Sequence, residues 1–331
     1  MAPLLHLLTS TLLLITSALS QSFHGPQDPR VKTEIVYPHP INGVSLTSDS
    51  SRLFLVIARV DNSTGPAVVE YDRASNTSTP YPNAEWNSYA DGKDPGTHFV
   101  GINGQRIGPD GKLYVIDKGT PAFGAPVLLP DGPKIVRVDL ESDQVDRVFY
   151  LGNATKSFSF IDDIRFHPSS HKAYLTDAGT PGLAVLDLDS GAVVRVLDGH
   201  PSTRGIMPVS AEGSFLEFQG APFHIYADQL EVSPDGEWFY YQPCEGGMSR
   251  IKTSLMDQAF YNSSLNTNEV LGNYVQPFAL TPSTGGTAID AQGNIYVSDT
   301  QRQSILRVSA NGTMETLVQD PRLLWVDAMV S

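Results

Sequence analysis

The amino-acid sequence predicts an all-β protein, a β-propeller of six blades in which the sixth blade is incomplete. The first observation is a repeat with a spacing near 60 residues, in which a polar turn opens into a short aromatic strand. The aromatic residues that mark its five copies are Phe54, Tyr114, Tyr174, Phe239 and Tyr296. A unit of this length cannot bury its apolar face alone, so neighbouring copies must stack on one another.

The second observation is that each copy contains up to four short strands. An apolar segment such as GINGQRIG precedes the aromatic strand, and a pair such as KIVRVDL and VDRVFYL follows it. Turns of the Pro-Asp-Gly and Asn-Gly type separate these strands and are typical of hairpins. Four-stranded units repeated along one chain indicate a β-propeller. We expect one domain over residues 21–331, with a short helix near Thr253 to Tyr261.

The third observation concerns the end of the chain, where the pattern stops within a repeat. Leu323 to Met329 resembles the first strand of the third copy, with Asp327 opposite Asp163. The turn and the later strands of this sixth blade do not follow. Val31 to Tyr37 could add one outer strand, but exposed edges, which proteins avoid, would remain. We therefore expect the chain to be C-terminally truncated.

The first 20 residues predict a secretory signal peptide. Leu4 to Ile15 is almost wholly apolar and too short to span a bilayer, and Ala18-Leu19-Ser20 offers small residues for cleavage. The alternative is a buried N-terminal helix. Five Asn-x-Ser/Thr acceptors agree with a secreted, extracellular glycoprotein. They are Asn62, Asn76, Asn153, Asn262 and Asn311.

The net charge limits the classes of partner, and the cysteine content limits how the fold is stabilised. The net charge is −14 and no Lys/Arg cluster occurs, so nucleic acid and anionic membrane surfaces are disfavoured as partners. The single cysteine, Cys244, allows no intramolecular disulfide, so a hydrophobic core must stabilise the chain. We expect a monomer with a small-molecule ligand. The acid excess serves either solubility or a cation site.

Polar residues recur in the predicted inner strands. Aligning these strands on the Gly or equivalent of the following turn gives a column eight residues upstream, and Asp327 falls opposite its third member. The column consists of Gly43 (beside Asn42), Asn103, Asp163, Asp228 and Gly285. Inner strands of a propeller line its central channel, so these oxygens would converge on one point. They suit Ca²⁺ or another divalent cation, with Asn103, Asp163 and Asp228 as ligands. The alternative is that they only hydrogen-bond loop backbone at the strand starts.

Five residues are candidates for moving protons or stabilising charge in the channel. They are Asp163, Asp228, Lys118, His98 and His224. A lysine lowered in pKa by burial can act as a base, although an exposed ion pair with Asp117 is the commoner arrangement. His98 and His224 precede two inner strands by similar distances and titrate near neutral pH. The alternative for each histidine is a packed residue with its hydrogen bonds satisfied.

Four motifs extend over nearly the whole mature sequence. They are GINGQRIGPDGKLYVID, SFIDDI with AYLTDAGTPGLAVLDL, LEVSPDGEWFYYQP and the ending DPRLLWVDAM. Together they resemble the yellow and major royal jelly protein family, as a fungal-like member. The resemblance implies a secreted six-bladed propeller with a ligand-accessible channel. It also implies a longer last blade than this chain has.

The resemblance is compatible with several different functions. Some yellow-type proteins resemble dopachrome-converting enzymes that act on quinonoid phenols, and others resemble binding or storage proteins. Related calcium-dependent lactonases carry acid and amide ligands on inner strands, a pattern that Asn103, Asp163 and Asp228 fit. Their first-blade glutamate is not evident, because Asn42-Gly43 stands there.

We expect a protein of secondary metabolism that acts on a small oxygenated metabolite, phenolic, quinonoid or lactone, as an isomerase, lyase or hydrolase. A secreted protein that binds such a ligand without catalysis and a calcium-dependent lactonase are the alternatives.

Overall fold

Five antiparallel sheets of four strands form the blades of a β-propeller in the computed structural model, which describes residues 25–59, 61 and 63–330. The predicted signal peptide at residues 1–20 and the sequon residue Asn62 lie outside the described residues. In every blade the four strands follow one another across the sheet in chain order. The prediction of an all-β propeller is confirmed.

The strands are numbered in chain order, four to a blade. Blade 1 contains β1 to β4, at Ile41–Leu46, Leu53–Ile57, Val68–Asp72 and Thr77–Pro80. Blade 2 contains β5 to β8, at Ile102–Ile107, Leu113–Asp117, Lys134–Asp139 and Gln144–Tyr150. Blade 3 contains β9 to β12, at Ile161–Phe166, Lys172–Asp177, Gly182–Asp187 and Val193–Val196.

Two short hairpins separate blade 3 from blade 4. They comprise β13 to β16, at Ser210–Ala211, Ser214–Phe215, Glu217–Phe218 and Ala221–Pro222. Blade 4 contains β17 to β20, at Ala227–Val232, Trp238–Pro243, Met248–Lys252 and Gln276–Ala279. Blade 5 contains β21 to β24, at Thr287–Ile289, Ile295–Asp299, Ser304–Val308 and Met314–Gln319. The predicted short helix, α1, is Thr253–Tyr261, and 3₁₀ turns occur at Pro201–Thr203 and Leu271–Tyr274.

The core lies between neighbouring blades, where the apolar faces of adjacent sheets meet. Phe54 of blade 1 packs in one cluster with Leu113 of blade 2, and Tyr174 of blade 3 packs in another with Phe239 of blade 4. Four of the five aromatic markers, all except Tyr296, are at most 1% exposed. Large aromatic side chains dominate the burial of apolar surface, so the stacking of blades stabilises each sheet.

The first strands of the blades surround a central channel. β1 lies beside β5, β5 beside β9, β9 beside β17 and β17 beside β21. Residues of these strands therefore approach one another from different blades, although they are far apart in the sequence. This arrangement brings polar side chains of several repeats to one place.

The expected strand of a sixth blade is not confirmed, because residues 323–330 form no strand. This segment instead lies against the existing blades. Ser298 Oγ of blade 5 donates a hydrogen bond to Val326 O at 2.7 Å, and Arg106 Nη1 of blade 2 donates to Met329 O at 2.7 Å. Residues 31–37 also form no strand, and Ile35 packs on the apolar cluster of blade 1. The C-terminal segment thus reaches from blade 5 to blade 2.

Within the described residues, no helix is long and apolar enough to cross a membrane. Four of the predicted glycosylation sites lie in this part of the chain, and all four are exposed. They are Asn76, Asn153, Asn262 and Asn311.

Acidic residues at the ends of second strands hold the backbone that leads into the first strands. Asp117 accepts hydrogen bonds from the backbone N–H groups of Val100 and Gly101, at 2.8 and 2.9 Å. Asp177 accepts one from the N–H of Phe160 at 2.8 Å. Charged acceptors make the stronger class of hydrogen bond. Asp117 and Asp177, the last residues of β6 and β10, therefore each hold the start of the first strand of their own blade. Each of these arrangements is termed a clamp.

The Asp117 clamp includes an ion pair with Lys134 at 2.6 Å, and both side chains are fully buried. We expect Lys134→Met to lower the free energy of unfolding by about 3–5 kcal/mol, because it leaves a buried carboxylate without its cation. Denaturant unfolding measures this. The control is Lys156→Met, which breaks a pair whose two side chains are 48% and 45% exposed and should cost under about 1 kcal/mol. Small and equal losses in the free energy of unfolding of both variants would contradict a stabilising role of the Asp117–Lys134 ion pair.

Candidate functional site

A cavity of about 360 Å³ opens at one end of the central channel. Six of its lining residues also line a smaller cavity of about 30 Å³ farther along the channel, so they form the floor between the two. The floor residues are Asn42, Asn103, Asp162, Asp228, Gly285 and Asp327. The aromatic residues of the wall are Phe123, Phe158, Phe160, Phe218, Phe223 and Trp325.

β-bulges aim four of the floor residues into the channel. The pairing between the first and second strands skips Asn42 in blade 1, Asn103 in blade 2 and Asp228 in blade 4. In blade 3 it skips Asp162 together with Asp163. A bulge interrupts the alternation of a strand and redirects a side chain, often next to an active site. The repeated bulge therefore explains why these polar residues share one face of the channel.

The structure corrects the sequence alignment in blade 3, where Asp162 rather than Asp163 lines the cavity. The sequence alignment is anchored on the Gly or equivalent of the turn after the first strand. In blade 2 this residue is Gly111, eight positions after Asn103, whereas in blade 3 it is His171, nine positions after Asp162. One additional residue in the third turn thus moved the predicted column by one position.

Asp163 is engaged in two ion pairs. Its Oδ2 lies 2.6 Å from both Arg106 Nη2 and Arg165 Nη1. Burial alone would raise the pKa of Asp163, but the two guanidinium groups overcome this effect and hold the pKa at about 2. A carboxylate neutralised in this way is a poor proton acceptor and a poor cation ligand. Asp162, and not Asp163, is the acid of this strand that lines the larger cavity.

Three floor carboxyl groups hold protons more tightly than usual. Burial raises the pKa of Asp162 to about 6, and its side chain lies within hydrogen-bonding reach of Asp228. Burial and the charge of Asp162 raise the pKa of Asp228 well above its ordinary value. Burial and the charges of Asp162 and Asp163 do the same for Asp327. Adjacent buried carboxyl groups of this kind share a proton, because both cannot ionise cheaply.

Amide side chains orient the two central carboxyl groups. Asn103 Nδ2 donates a hydrogen bond to Asp162 Oδ1 at 2.6 Å, and Asn42 Nδ2 donates to Asn103 O at 2.6 Å. Gln229 Nε2 donates to Asp228 Oδ2 at 2.7 Å. These hydrogen bonds fix the rotamers of both acids while leaving carboxyl oxygens toward the cavity.

The floor offers a divalent cation carboxylate and amide oxygens, the donors that Ca²⁺ prefers. The oxygens that fit are those of Asn42, Asn103, Asp162 and Asp228, which line the same cavity. Within the described residues, no group of three or more acidic, His or Cys side chains comes together closely enough to hold a metal ion. A cation here would therefore depend on the amides as well as on the two acids.

The aromatic wall is built by loops that meet over the floor. Phe123, in the loop after β6, contacts Phe218 of β15 edge to face, with ring centroids 5.0 Å apart. Phe123 also lies 6.3 Å from Phe160. Phe123 and Phe158 are 51% and 64% exposed, an unusual state for large apolar side chains outside a binding surface. The wall thus presents apolar ring faces to an occupant of the cavity.

The two histidines that the sequence offers as site residues, His98 and His224, lie in different environments. His98 is 8% exposed and does not line the cavity. Its Nε2 lies 2.9 Å from Glu85 Oε1 and its Nδ1 lies 2.9 Å from Asp94 O, so it is the packed, satisfied residue of the alternative interpretation. His224 lines the cavity, and its buried Nδ1 has no hydrogen-bond partner in the described structure. The geometry retains His224 as a site residue.

Lys118 lies beside the cavity wall. Its Nζ is 4.7 Å from the centre of the Phe160 ring, and burial lowers its pKa to about 8. The expected ion pair with Asp117 does not form, because Asp117 binds Lys134 instead. Sequence reasoning missed Asp162 as a cavity residue, although the doubled Asp162-Asp163 was a visible signal. It also missed the aromatic wall, whose residues follow no repeat.

The model of the family described as major royal jelly protein matches residues 105–330, about two thirds of the chain. The chain belongs to the major royal jelly protein family. A search of curated protein sequences finds no match.

Solved propellers resemble this major royal jelly protein family member in fold. A virginiamycin B lyase from Staphylococcus aureus is 11% identical, with 85% of this chain and 71% of that chain covered, at a TM-score of 0.51. A gluconolactonase from Xanthomonas campestris is 14% identical, with 85% and 76% covered, also at 0.51. At these identities the similarity shows the fold alone.

The raised pKa of Asp162 predicts a stability that falls as pH rises. The folded protein keeps this proton up to about pH 6, whereas the unfolded chain releases it near the ordinary aspartate pKa of 3.8. Folding therefore takes up a proton between these values, and stability is lost across that window. We expect Asp162→Asn to become more stable relative to the parent by about 1–3 kcal/mol between pH 3 and pH 7.5.

Denaturant unfolding of both proteins at several pH values gives this change in relative stability. The variant alters the hydrogen bond from Asn103 at every pH, so this effect largely cancels when values at different pH are compared. Asp91→Asn, at an exposed loop position outside the cavity, is the matched control. A parent-to-variant difference that stays constant with pH for Asp162→Asn would contradict the raised pKa.

Proposed function

We propose that this major royal jelly protein family member isomerises a small aromatic molecule with oxygen substituents, phenolic or quinonoid, by moving a proton in the channel cavity. The observation that carries the proposal is the pair Asp162 and Asp228, buried under an aromatic-walled cavity of about 360 Å³. A cavity of that size holds one small ring system. The aromatic walls favour a flat ring, and the floor supplies the acid and the base.

The pair supports a balanced proton transfer. With one proton between them, ionised Asp162 removes a proton from a carbon next to a quinonoid carbonyl, and protonated Asp228 donates its proton to the carbonyl oxygen. The substrate gains and loses one proton, so the product is its enol or phenol tautomer. The proton then passes from Asp162 back to Asp228, which resets the site. Carboxyl groups with raised pKa values suit such acid–base work near neutral pH.

The hydrogen bonds of the floor support the assignment of these roles. Asn103 Nδ2 donates to Asp162 Oδ1 and stabilises its ionised form, whereas Asp228 lies deeper and is 7% exposed. His224 faces the same space with an unpartnered Nδ1. It is positioned to bind a substrate hydroxyl rather than to start the reaction.

We expect Asp228→Asn to reduce turnover of a quinonoid probe such as dopachrome by about 100-fold or more, because the variant has no proton to donate. The affinity for the probe should change by less than about threefold, since the amide keeps the shape of the carboxyl group. Steady-state kinetics and equilibrium binding give the two values. Asp91→Asn should leave both unchanged. Binding without turnover in the parent protein would favour the non-catalytic alternative.

A calcium-dependent lactonase is the second candidate, because the carboxyl and amide oxygens of the floor face one cavity. The residues that would hold the cation are Asn42, Asn103, Asp162 and Asp228. When bound, the ion would polarise a lactone carbonyl. The residues themselves would orient the lactone and exclude water from the aromatic side of the cavity.

Removal of divalent cations discriminates the two candidates. We expect chelator treatment followed by gel filtration to leave dopachrome turnover unchanged within about twofold, because the proposed isomerisation uses carboxyl groups alone. Lactone hydrolysis that disappears on chelation and returns with Ca²⁺ would instead establish the second candidate.

The setting of this activity is proposed to be extracellular, as a glycosylated monomer. The exposure of Asn76, Asn153, Asn262 and Asn311 supports this proposal. A mass loss of secreted material on treatment with an N-glycosidase would test it.

A further inference from the structure

The smaller cavity of the channel, about 30 Å³ in volume, is lined by two buried glutamines. Gln105 of β5 is 2% exposed and Gln229 of β17 is 4% exposed. Both polar atoms of the Gln105 side chain, and Oε1 of Gln229, have no hydrogen-bond partner among the described residues. Native proteins rarely leave buried polar atoms unsatisfied, because the cost of desolvation is then not recovered. Three such atoms around one cavity therefore indicate an occupant that hydrogen-bonds to them.

The orientation of the Gln229 amide is fixed by its neighbours. Its Nε2 donates to Thr284 O and to Asp228 Oδ2, both at 2.7 Å. A backbone carbonyl only accepts hydrogen bonds, so the nitrogen and not the oxygen of the amide must face Thr284. Both N–H groups are thereby used, and Oε1 remains as an acceptor. Since no described residue donates to it, its donor must come from an occupant of the cavity.

The groups around the smaller cavity favour water over an ion. Arg106 and Arg165 also line this cavity and would repel a cation. A cation cannot accept the N–H groups of Gln105, and an anion cannot donate to Oε1 of Gln229. Water both donates and accepts. A buried water needs roughly 10–15 Å³ of such space and two to four polar partners, so the cavity has room for one or two waters.

Gln229 connects the smaller cavity with the floor of the larger one. Its Nε2 binds Asp228, which lines both cavities, and its Oε1 belongs to the smaller cavity. A hydrogen bond accepted by an amide oxygen polarises the amide and strengthens the hydrogen bonds that its N–H groups donate. Because Oδ2 of Asp228 accepts from Gln229, the other oxygen, Oδ1, is the one that carries the proton. An occupant that holds Gln229 therefore also orients Asp228.

We propose that an ordered water in the smaller cavity donates a hydrogen bond to Gln229 Oε1 and is held by Gln105, so that both glutamines are positioning residues for Asp228. The positioning role rests on the proposed function, in which Asp228 is the acid, whereas the water site does not depend on it. Gln105 belongs to blade 2 and Gln229 to blade 4, so the water links two blades that are separated by blade 3.

A high-resolution crystal structure of the full chain tests the water directly. We expect density for a water at about 2.5–3.0 Å from Gln229 Oε1, the distance of an O–H···O hydrogen bond, with a second contact to Gln105. A map that shows other buried waters but no density in this cavity would overturn the proposal. A cation coordinated by several oxygens at this position would overturn it as well.

A double-mutant cycle tests the link in solution, because Gln105 and Gln229 share no direct hydrogen bond. Methionine has a similar size and lacks the polar atoms. We expect the effects of Gln105→Met and Gln229→Met on the unfolding equilibrium constant to be non-additive by about fivefold or more, since either substitution alone disrupts the same water. Additive effects would refute the bridge. If Gln229→Met does not fold, the crystal structure of the parent decides by itself.

Gln242 provides the control for the cycle. It is fully buried, its Oε1 accepts a hydrogen bond from Thr281 Oγ1 at 2.7 Å, and it lines neither cavity of the channel. The effects of Gln105→Met and Gln242→Met should be additive within about twofold.

Steady-state kinetics with dopachrome test the positioning role. We expect Gln105→Met to lower kcat by about threefold or more and to leave KM within about twofold, because the variant disturbs the acid without touching the larger cavity. Normal kcat in this variant would overturn the positioning role, even with the water present. A parent protein without turnover would refute the isomerase together with the positioning role, and the water site would then stand or fall by the density and the cycle.

Discussion

The clamp of the inner strands by buried carboxylates is the interaction on which the site depends. Asp117 and Asp177 use their oxygens on backbone N–H groups and on the cations Lys134 and Arg195. They have no capacity left for chemistry. What they provide is position, because the backbone they hold enters the bulge two residues later, at Asn103 in blade 2 and likewise in blade 3. The clamp acids thus fix the backbone that leads to the cavity residues.

The floor acids differ from the clamp acids in their partners, because the amides of Asn103 and Gln229 donate to Asp162 and Asp228. Asp163, one residue from Asp162, shows the contrast, since two guanidinium groups hold its pKa at about 2. Asp162 and Asp228 face each other, and burial favours their protonated forms, although the charge of Lys118 offsets part of this effect at Asp162. A fold tolerates the free-energy cost of burying such carboxyl groups when the stacking of blades stabilises it elsewhere. Polar groups that destabilise the fold and converge in one cavity are the usual mark of a functional site.

The sequence predicted the propeller because the aromatic strand and its turn recur, and it placed Asn103, Asp228 and Asp327 correctly in the cavity. It failed at Asp162 because one additional residue in the third turn is invisible without the pairing register. It could not find the aromatic wall, since Phe123 and Phe218 lie on insertions without periodicity. The predicted strand of a sixth blade is not confirmed, for a different reason. A segment that resembles an inner strand here supplies Asp327 to the floor without pairing as a strand.

The division of the cavity into an aromatic wall and an acidic floor determines how a ligand would lie. The aromatic side chains stand on the wall, and the pair Asp162 and Asp228 stands at the floor. A flat ring packed against the wall would have its oxygen substituents directed toward the carboxyl groups. The reactive oxygen would then point at the acid–base pair. Orientation and chemistry would thus come from different side chains, so substitutions in the wall should change affinity and those of the floor acids should change turnover.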